Sequence, residues 1–281
     1  MPGNEIPSRA LAQVAVGGET APAAGRLGPP RRDTFWAKQL RIWLTGSAFL
    51  LFWVGGAILS WIVIPAITLY HRRDAVLSRR SCRRVASSAL RFHIAYMSAC
   101  RLIDFDPRSI EAQLPKIPFV LVANHPTLID VVLLLASYPS ICCVAKGRLF
   151  TSPLVGGLLR RCGHIDAGDG SVPAGAAVVL GAMDRLAAGD PVLIFPEGTR
   201  SPPRTLGVFK AGAFSIAGHA NVPLIPVRIS ASPPGLMKGM PWYTVPGGTM
   251  RFELSVLKPV DPSRYQGDLR AMVADVRASL T

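Results

Sequence analysis

Acidic residues are scarce in this chain: 17 Asp and Glu stand against 31 Lys and Arg, a formal charge of +14 over 281 residues. An imbalance of that size points to an anionic partner surface, whether nucleic acid, phospholipid headgroups or a phosphorylated small molecule. Cysteine is also sparse. Cys82, Cys100, Cys142, Cys143 and Cys162 have neither the Cys-x-x-Cys spacing of a zinc site nor the density of a secreted disulfide scaffold, so they read as reduced, mostly buried thiols. The absence of a Gly-x-Ser-x-Gly elbow argues against a serine hydrolase. No cluster of metal ligands has the usual spacing either, and no cofactor is expected.

Charge itself is missing from the 29 residues between Ile42 and Tyr70, which are bounded by Arg41 before and by His71, Arg72 and Arg73 after. A straight helix of that length measures about 43 Å against about 30 Å of bilayer hydrocarbon, so it can span with tilt. Gly55, Gly56 and Pro65 also allow a broken helix that dips into one leaflet and returns. Beyond it, Arg72, Arg73, Arg79, Arg80, Arg83, Arg84 and Arg91 face a single acid, Asp74, and are expected to lie against anionic headgroups. With an uncharged run beside them, membrane lipids are the expected partner and nucleic acid is not, since no stacking motif or recognition-helix pattern accompanies these arginines. The positive-inside bias then favours the inner membrane, with the C-terminal part on its cytoplasmic side.

What remains falls into three parts. Residues 1–34 read as a disordered tail, because five prolines and five glycines among the first thirty residues leave too little apolar surface to offset the entropy of ordering. Residues 35–71 form the anchor and 72–281 one further domain. In that domain short apolar runs alternate with helical stretches, which predicts an α/β fold with a mixed sheet. Strands are predicted at Phe119–Ala123, Ile141–Ala145, Val192–Phe195, Leu224–Ile229 and Met250–Val256. Helices are predicted at Leu128–Ser137, from Pro153, at Ala174–Ala188, at Val208–Ala220 and from Ser263 onward.

Two blocks carry chemistry. Asn124-His125-Pro126-Thr127-Leu128-Ile129-Asp130 follows a buried strand, and a histidine acting as base needs a partner that fixes its tautomer. Asp130 fills that role only if His125 lies in the turn ahead of the helix, because residues five apart on one helix diverge by about 140°. Phe195-Pro196-Glu197-Gly198-Thr199-Arg200-Ser201 follows another buried strand. There Gly198 lets the backbone approach a ligand, Arg200 offers a fork for phosphate or carboxylate, and Glu197 can accept from a substrate hydroxyl or hold Arg200.

Together, in this order and 72 residues apart, the blocks resemble the lysophospholipid and glycerolphosphate acyltransferase family, whose third, proline-bearing apolar block is similar to Val222-Pro223-Leu224-Ile225-Pro226-Val227. The resemblance covers about residues 95–230. It implies a mixed sheet with flanking helices of the glycerolphosphate acyltransferase type, a His125–Asp130 dyad and an acceptor site built from Asn124, Glu197, Gly198, Thr199 and Arg200. Lys146 and Lys210 are further candidates for contact with substrate. Members with a glycerol-phosphate acceptor also carry an arginine after a glycine; here the segment reads Gly163-His164-Ile165-Asp166-Ala167-Gly168-Asp169-Gly170, with aspartate where that arginine aligns. The pattern is closer to bacterial members that accompany specialised lipid or aryl polyene pathways.

The expected activity is transfer of a fatty acyl group, from a coenzyme A or acyl-carrier-protein thioester, to the hydroxyl of a lysophospholipid-like or other lipid acceptor. The alternative is a silent membrane lipid-binding or scaffold protein on the same fold. His164 and His219 have no carboxylate at useful spacing and read as structural.

Overall fold

The computed structural model describes residues 34–281 except Arg204, so the tail expected over 1–34 lies, apart from Thr34, outside the described residues. Helix α1 (Phe35–Ile58) is capped by the Thr34 hydroxyl, which accepts from the Ala37 N–H. It continues through one wider turn, Leu59–Val63, into α2 (Ile64–Tyr70). The run from 35 to 70 is thus one apolar helix, long enough to cross a membrane by length and composition. Pro65 does not break it. A proline ring in a helix collides with the carbonyl four residues back and lacks a donor; the wider turn ahead of it supplies the room.

A tight turn leads into α3 (Ala75–Ala99), where Asp74 caps the first turn through Leu77 N–H at 2.8 Å. This helix corrects the arginine belt. Arg83 is 2% exposed and ion-paired to Asp190 at 2.8 Å, Arg80 reaches the same carboxylate at 2.9 Å, and Arg91 donates to the Ala136 carbonyl at 2.8 Å. The inward stripe of α3 includes Ser78, Cys82, Arg83, Ser87, Ile94 and Met97, so arginines on that stripe face the domain; Arg72, Arg73 and Arg84 remain exposed.

The rest of the chain builds a seven-stranded sheet in the order β1-β7-β6-β2-β5-β3-β4. Its strands are β1 (Ile103–Asp104), β2 (Val120–Ala123), β3 (Cys142–Ala145), β4 (Ile165–Asp166), β5 (Val192–Ile194), β6 (Leu224–Ser232) and β7 (Met250–Val256). All neighbours are parallel except β6 and β7, so the sheet is mixed. The flanking helices are α4 (Asp130–Ser137), α5 (Gly147–Phe150), α6 (Gly156–Cys162), α7 (Val172–Ala187), α8 (Gly212–Ala220) and α9 (Leu269–Leu280). Val-Leu-Val-Ala of β2 is wholly buried because both faces are covered, as a parallel central strand requires. Leu121 and Ala123 pack with Phe119, Leu133 and Leu134, while Val120 and Val122 face Phe214 and Val276 on the other side.

Several helix starts differ from the sequence reading: the helix expected from Leu128 begins at Asp130, and the last one, expected from Ser263, begins at Leu269 after a tight turn over Pro262–Tyr265. The helix expected from Pro153 begins at Gly156, with the Pro153 carbonyl accepting from Trp61 Nε1 at 2.8 Å. The one expected from Val208 begins at Gly212, because Phe209 is drawn into the core and Lys210 N–H is held by the Pro196 carbonyl at 2.9 Å.

Candidate active site

Parallel pairing decides which residues meet. β2 lies between β5 and β6 with Val122 opposite both Ile194 and Pro226, so the segments after β2 and β5 leave the sheet side by side at its carboxyl edge. That edge is where open α/β sheets bind ligands. His125 sits in the irregular turn before α4 begins at Asp130, the placement that a dyad at this spacing needs. Its Nδ1 is 2.8 Å from Asp130 Oδ2; Asp130 is fully buried and the His125 side chain is 16% exposed. Thr127 fixes the carboxylate through its N–H at 2.7 Å and its hydroxyl at 2.5 Å. A buried carboxylate so held keeps the proton on Nδ1 and leaves Nε2 as the lone-pair nitrogen. The ring is stacked on Phe195, centroids 4.3 Å apart.

Glu197 is 6% exposed and turned inward. One carboxylate oxygen accepts from the Ser201 hydroxyl at 2.5 Å and the His125 N–H at 3.3 Å; the other accepts from Gly207 N–H at 2.8 Å. The Ser201 hydroxyl also accepts from the His125 N–H at 3.1 Å, and Ser201 N–H donates to the His125 carbonyl at 2.7 Å. Glu197 therefore ties its loop to the backbone of His125. Asn124 is likewise a backbone clamp, with its amide donating to the Ile229 carbonyl at 2.9 Å and accepting from Ile229 N–H at 2.7 Å. Arg200 donates to the carbonyls of Leu236 and Met237 at 3.1 and 2.9 Å, and not to Glu197. Gly198 adopts φ +65°, a conformation that L side chains rarely adopt.

A cavity of about 980 Å³ opens in front of this edge. His125, Phe195, Gly198, Thr199 and Arg200 line it, and Ala48, Phe52, Gly55 and Leu59 of the apolar helix form part of its wall. The lining is mainly apolar, with cationic side chains and, among the described residues, no Asp or Glu.

A family model described as Acyltransferase matches residues 107–230, a span that holds the His125–Asp130 pair and the whole 195–201 turn. Over that span, somewhat less than half of the chain, the sequence is similar to the acyltransferase family. Its relatives include the 1-acyl-sn-glycerol-3-phosphate acyltransferase of Chlamydomonas reinhardtii, 34% identical over 41% of this chain and 35% of that protein. Another is the alpha form of that enzyme from Mus musculus, 28% identical over 85% of this chain and 82% of the mouse protein. In the relatives from Chlamydomonas reinhardtii, Brassica napus and Arabidopsis thaliana the match spans 35%, 33% and 32% of their length, about a third of each. The crystal structure of the 1-acyl-sn-glycerophosphate acyltransferase PlsC from Thermotoga maritima shares the fold, with a TM-score of 0.62 at 22% identity, over 85% of this chain and 94% of that one.

The two lysines named from sequence part company. Lys146, just after β3, lines the cavity; Lys210 is outside the lining, beside Gly198, where its Nζ would stand 3.3 Å from an added Cβ. His164 Nδ1 accepts from Cys143 N–H at 3.0 Å, and burial together with Arg83 pushes its pKa down to about 3, so it is a neutral sheet-edge acceptor. Thr127 and Ser201 were missed as functional residues. The Thr-x-x-Asp spacing is the one local signal for the first, being that of a side chain reaching back across a helix start. For Ser201 no signal exists before the two loops are brought together.

Proposed function

We propose that this chain carries a fatty acyl group from the thioester of coenzyme A or acyl carrier protein to the hydroxyl of a lipid acceptor, with His125 as general base. The observation that carries the reading is His125 Nδ1 resting 2.8 Å from the buried Asp130 carboxylate, with the His125 side chain lining a mainly apolar cavity. The acceptor oxygen attacks the thioester carbonyl while its proton passes to Nε2, and Asp130 stabilises the imidazolium as it forms. Collapse of the tetrahedral intermediate breaks the carbon–sulfur bond, and the thiolate leaves with the proton returned from the ring. Loading from the bilayer agrees with an outward stripe of Trp36, Trp43, Leu50, Trp61 and Leu69 on the apolar helix, each more than half exposed. That stripe sits in the inner membrane with the sheet on the cytoplasmic side.

Positioned proton transfer is worth about 10²- to 10⁴-fold in rate. His125→Ala is expected to lower acyl transfer in membranes by that range, read by mass spectrometry of the lipids formed, while thermal unfolding stays close to wild type. Full activity in the folded variant defeats His125 as base.

A further inference from the structure

His93, His125 and His164 all line the cavity. Two of them have partners: His125 Nδ1 is held by Asp130, and His164 Nδ1 accepts from Cys143 N–H at 3.0 Å. His93 has none. It is 8% exposed, its Nδ1 is buried without a hydrogen-bond partner, and no group among the described residues bonds to either ring nitrogen. Phe52 of α1 leans on the ring, with centroids 5.7 Å apart and planes at 57°. The other α3 side chains that reach the cavity, Ala86, Ala89, Leu90, Phe92 and Met97, are apolar.

Burial pushes the pKa of His93 below the ordinary imidazole value, so the ring is neutral and presents one N–H donor and one lone-pair acceptor. A buried polar group without a partner is expensive, and those that native proteins keep call for an explanation. A chain of methylenes supplies none. Laid along His93 it would strip the ring of solvent and leave both nitrogens unmatched, whereas leucine or phenylalanine at this position would line a hydrocarbon channel at no such cost.

We propose that His93 is a specificity-determining residue that hydrogen-bonds a hydroxyl carried on the hydrocarbon chain of one substrate, so that the cavity takes hydroxylated fatty chains in preference to plain ones. A hydroxyl both donates and accepts, and therefore completes whichever nitrogen the ring turns toward it. A site built around a hydroxyl discriminates against the chain that lacks it, because its own polar group is then left unpaired; a purely apolar wall barely distinguishes the two. The mainly apolar surroundings sharpen this contrast. The donor's acyl chain and the acceptor's own chain share the chemistry. The proposal rests on the acyl-transfer reading only in calling the chain a substrate's.

The test uses the full-length protein in detergent micelles, as wild type, His93→Leu and His93→Gln. Leucine removes the unmatched nitrogens from an apolar wall, so the fold is expected to survive with an equal or higher melting temperature, and glutamine keeps a donor and an acceptor. Turnover is measured with acyl-coenzyme A thioesters of one chain length, plain or with a hydroxyl walked along the chain, and plain 1-acylglycerol 3-phosphate as acceptor. It is then measured with a plain thioester and acceptors whose own chain is plain or hydroxylated. Equilibrium binding of the same radiolabelled thioesters and acceptors is measured separately. One buried hydrogen bond predicts that wild type favours a hydroxylated chain about tenfold in kcat/KM or Kd. His93→Leu is expected to lose that preference while keeping or raising turnover of the plain chain, and His93→Gln to retain part of it. A preference among thioesters assigns the hydroxyl to the donor, and one among acceptors assigns it to the acceptor. Equal values for plain and hydroxylated chains in wild type, or a preference that survives in His93→Leu, overturn the proposal. If wild type turns over no pair but binds a hydroxylated chain more tightly and His93→Leu does not, the acyltransferase reading falls and the hydroxyl site stands. No binding of any chain removes both.

Discussion

At the scale of single residues, position in the motif and role in the structure separate. The sequence assigned His125 and Asp130 to one another on a condition, that the histidine precede the helix, and the chain meets it because Pro126 and the Thr127 clamp keep residues 124–129 irregular until α4 begins at Asp130. Glu197 was read as reaching for substrate or for Arg200. Which way a carboxylate points depends on donors from distant segments, here His125 and Gly207, and no local pattern reveals them. A consequence distinguishes the two roles. In Glu197→Gln the amide nitrogen meets a backbone N–H where an oxygen accepted before, leaving buried donors unmatched at a cost of about 1–3 kcal/mol. The variant is expected to melt lower and to lose activity through a displaced His125. An unaltered melting temperature with only a raised KM would return Glu197 to the substrate.

At the scale of elements, legibility followed burial. β2, β3 and β5 were readable because buried strands are written as unbroken apolar runs bounded by turn residues, and β7 by its alternation, Met250, Phe252 and Leu254 buried between exposed Arg251, Glu253 and Ser255. The two-residue strands β1 and β4 carry no such pattern. Helix α3 was hidden by its arginines, which suggest a solvated face until Asp190 is found beneath them, and a lone aspartate 107 positions after Arg83 gives no warning. Arg83 and Asp190 are 2% and 1% exposed, and Arg80 shares the carboxylate. Removing the anion strands a buried guanidinium, which typically costs about 3–5 kcal/mol. Asp190→Ala is therefore expected to destabilise the protein by that range in chemical denaturation and to loosen α3 from the start of β5. A change below about 1 kcal/mol would mean that water already neutralises the pair.

At the scale of the whole molecule, the apolar helix is a wall of the cavity as well as an anchor. The sequence separated residues 35–71 from the domain because hydropathy describes what a segment avoids and not what it packs against. Its two apolar faces explain why: the stripe with Trp43 and Leu50 is exposed, while Ala48, Phe52, Gly55 and Leu59 face the cavity that holds His125. Gly55 tests this without disturbing membrane attachment. A Cβ added there meets no atom within 4 Å, so a larger side chain has space, and replacing glycine inside a helix gains roughly 0.5–1 kcal/mol of helix stability. Gly55→Phe is expected to stay in the membrane and to remain active, yet to prefer shorter acyl chains because the ring occupies the channel wall. Acyl-chain profiles measured with a series of thioester lengths decide the matter. An unchanged profile would make the helix a tether alone, whereas a shift toward short chains means that the segment holding the protein to the bilayer also measures what it takes from it.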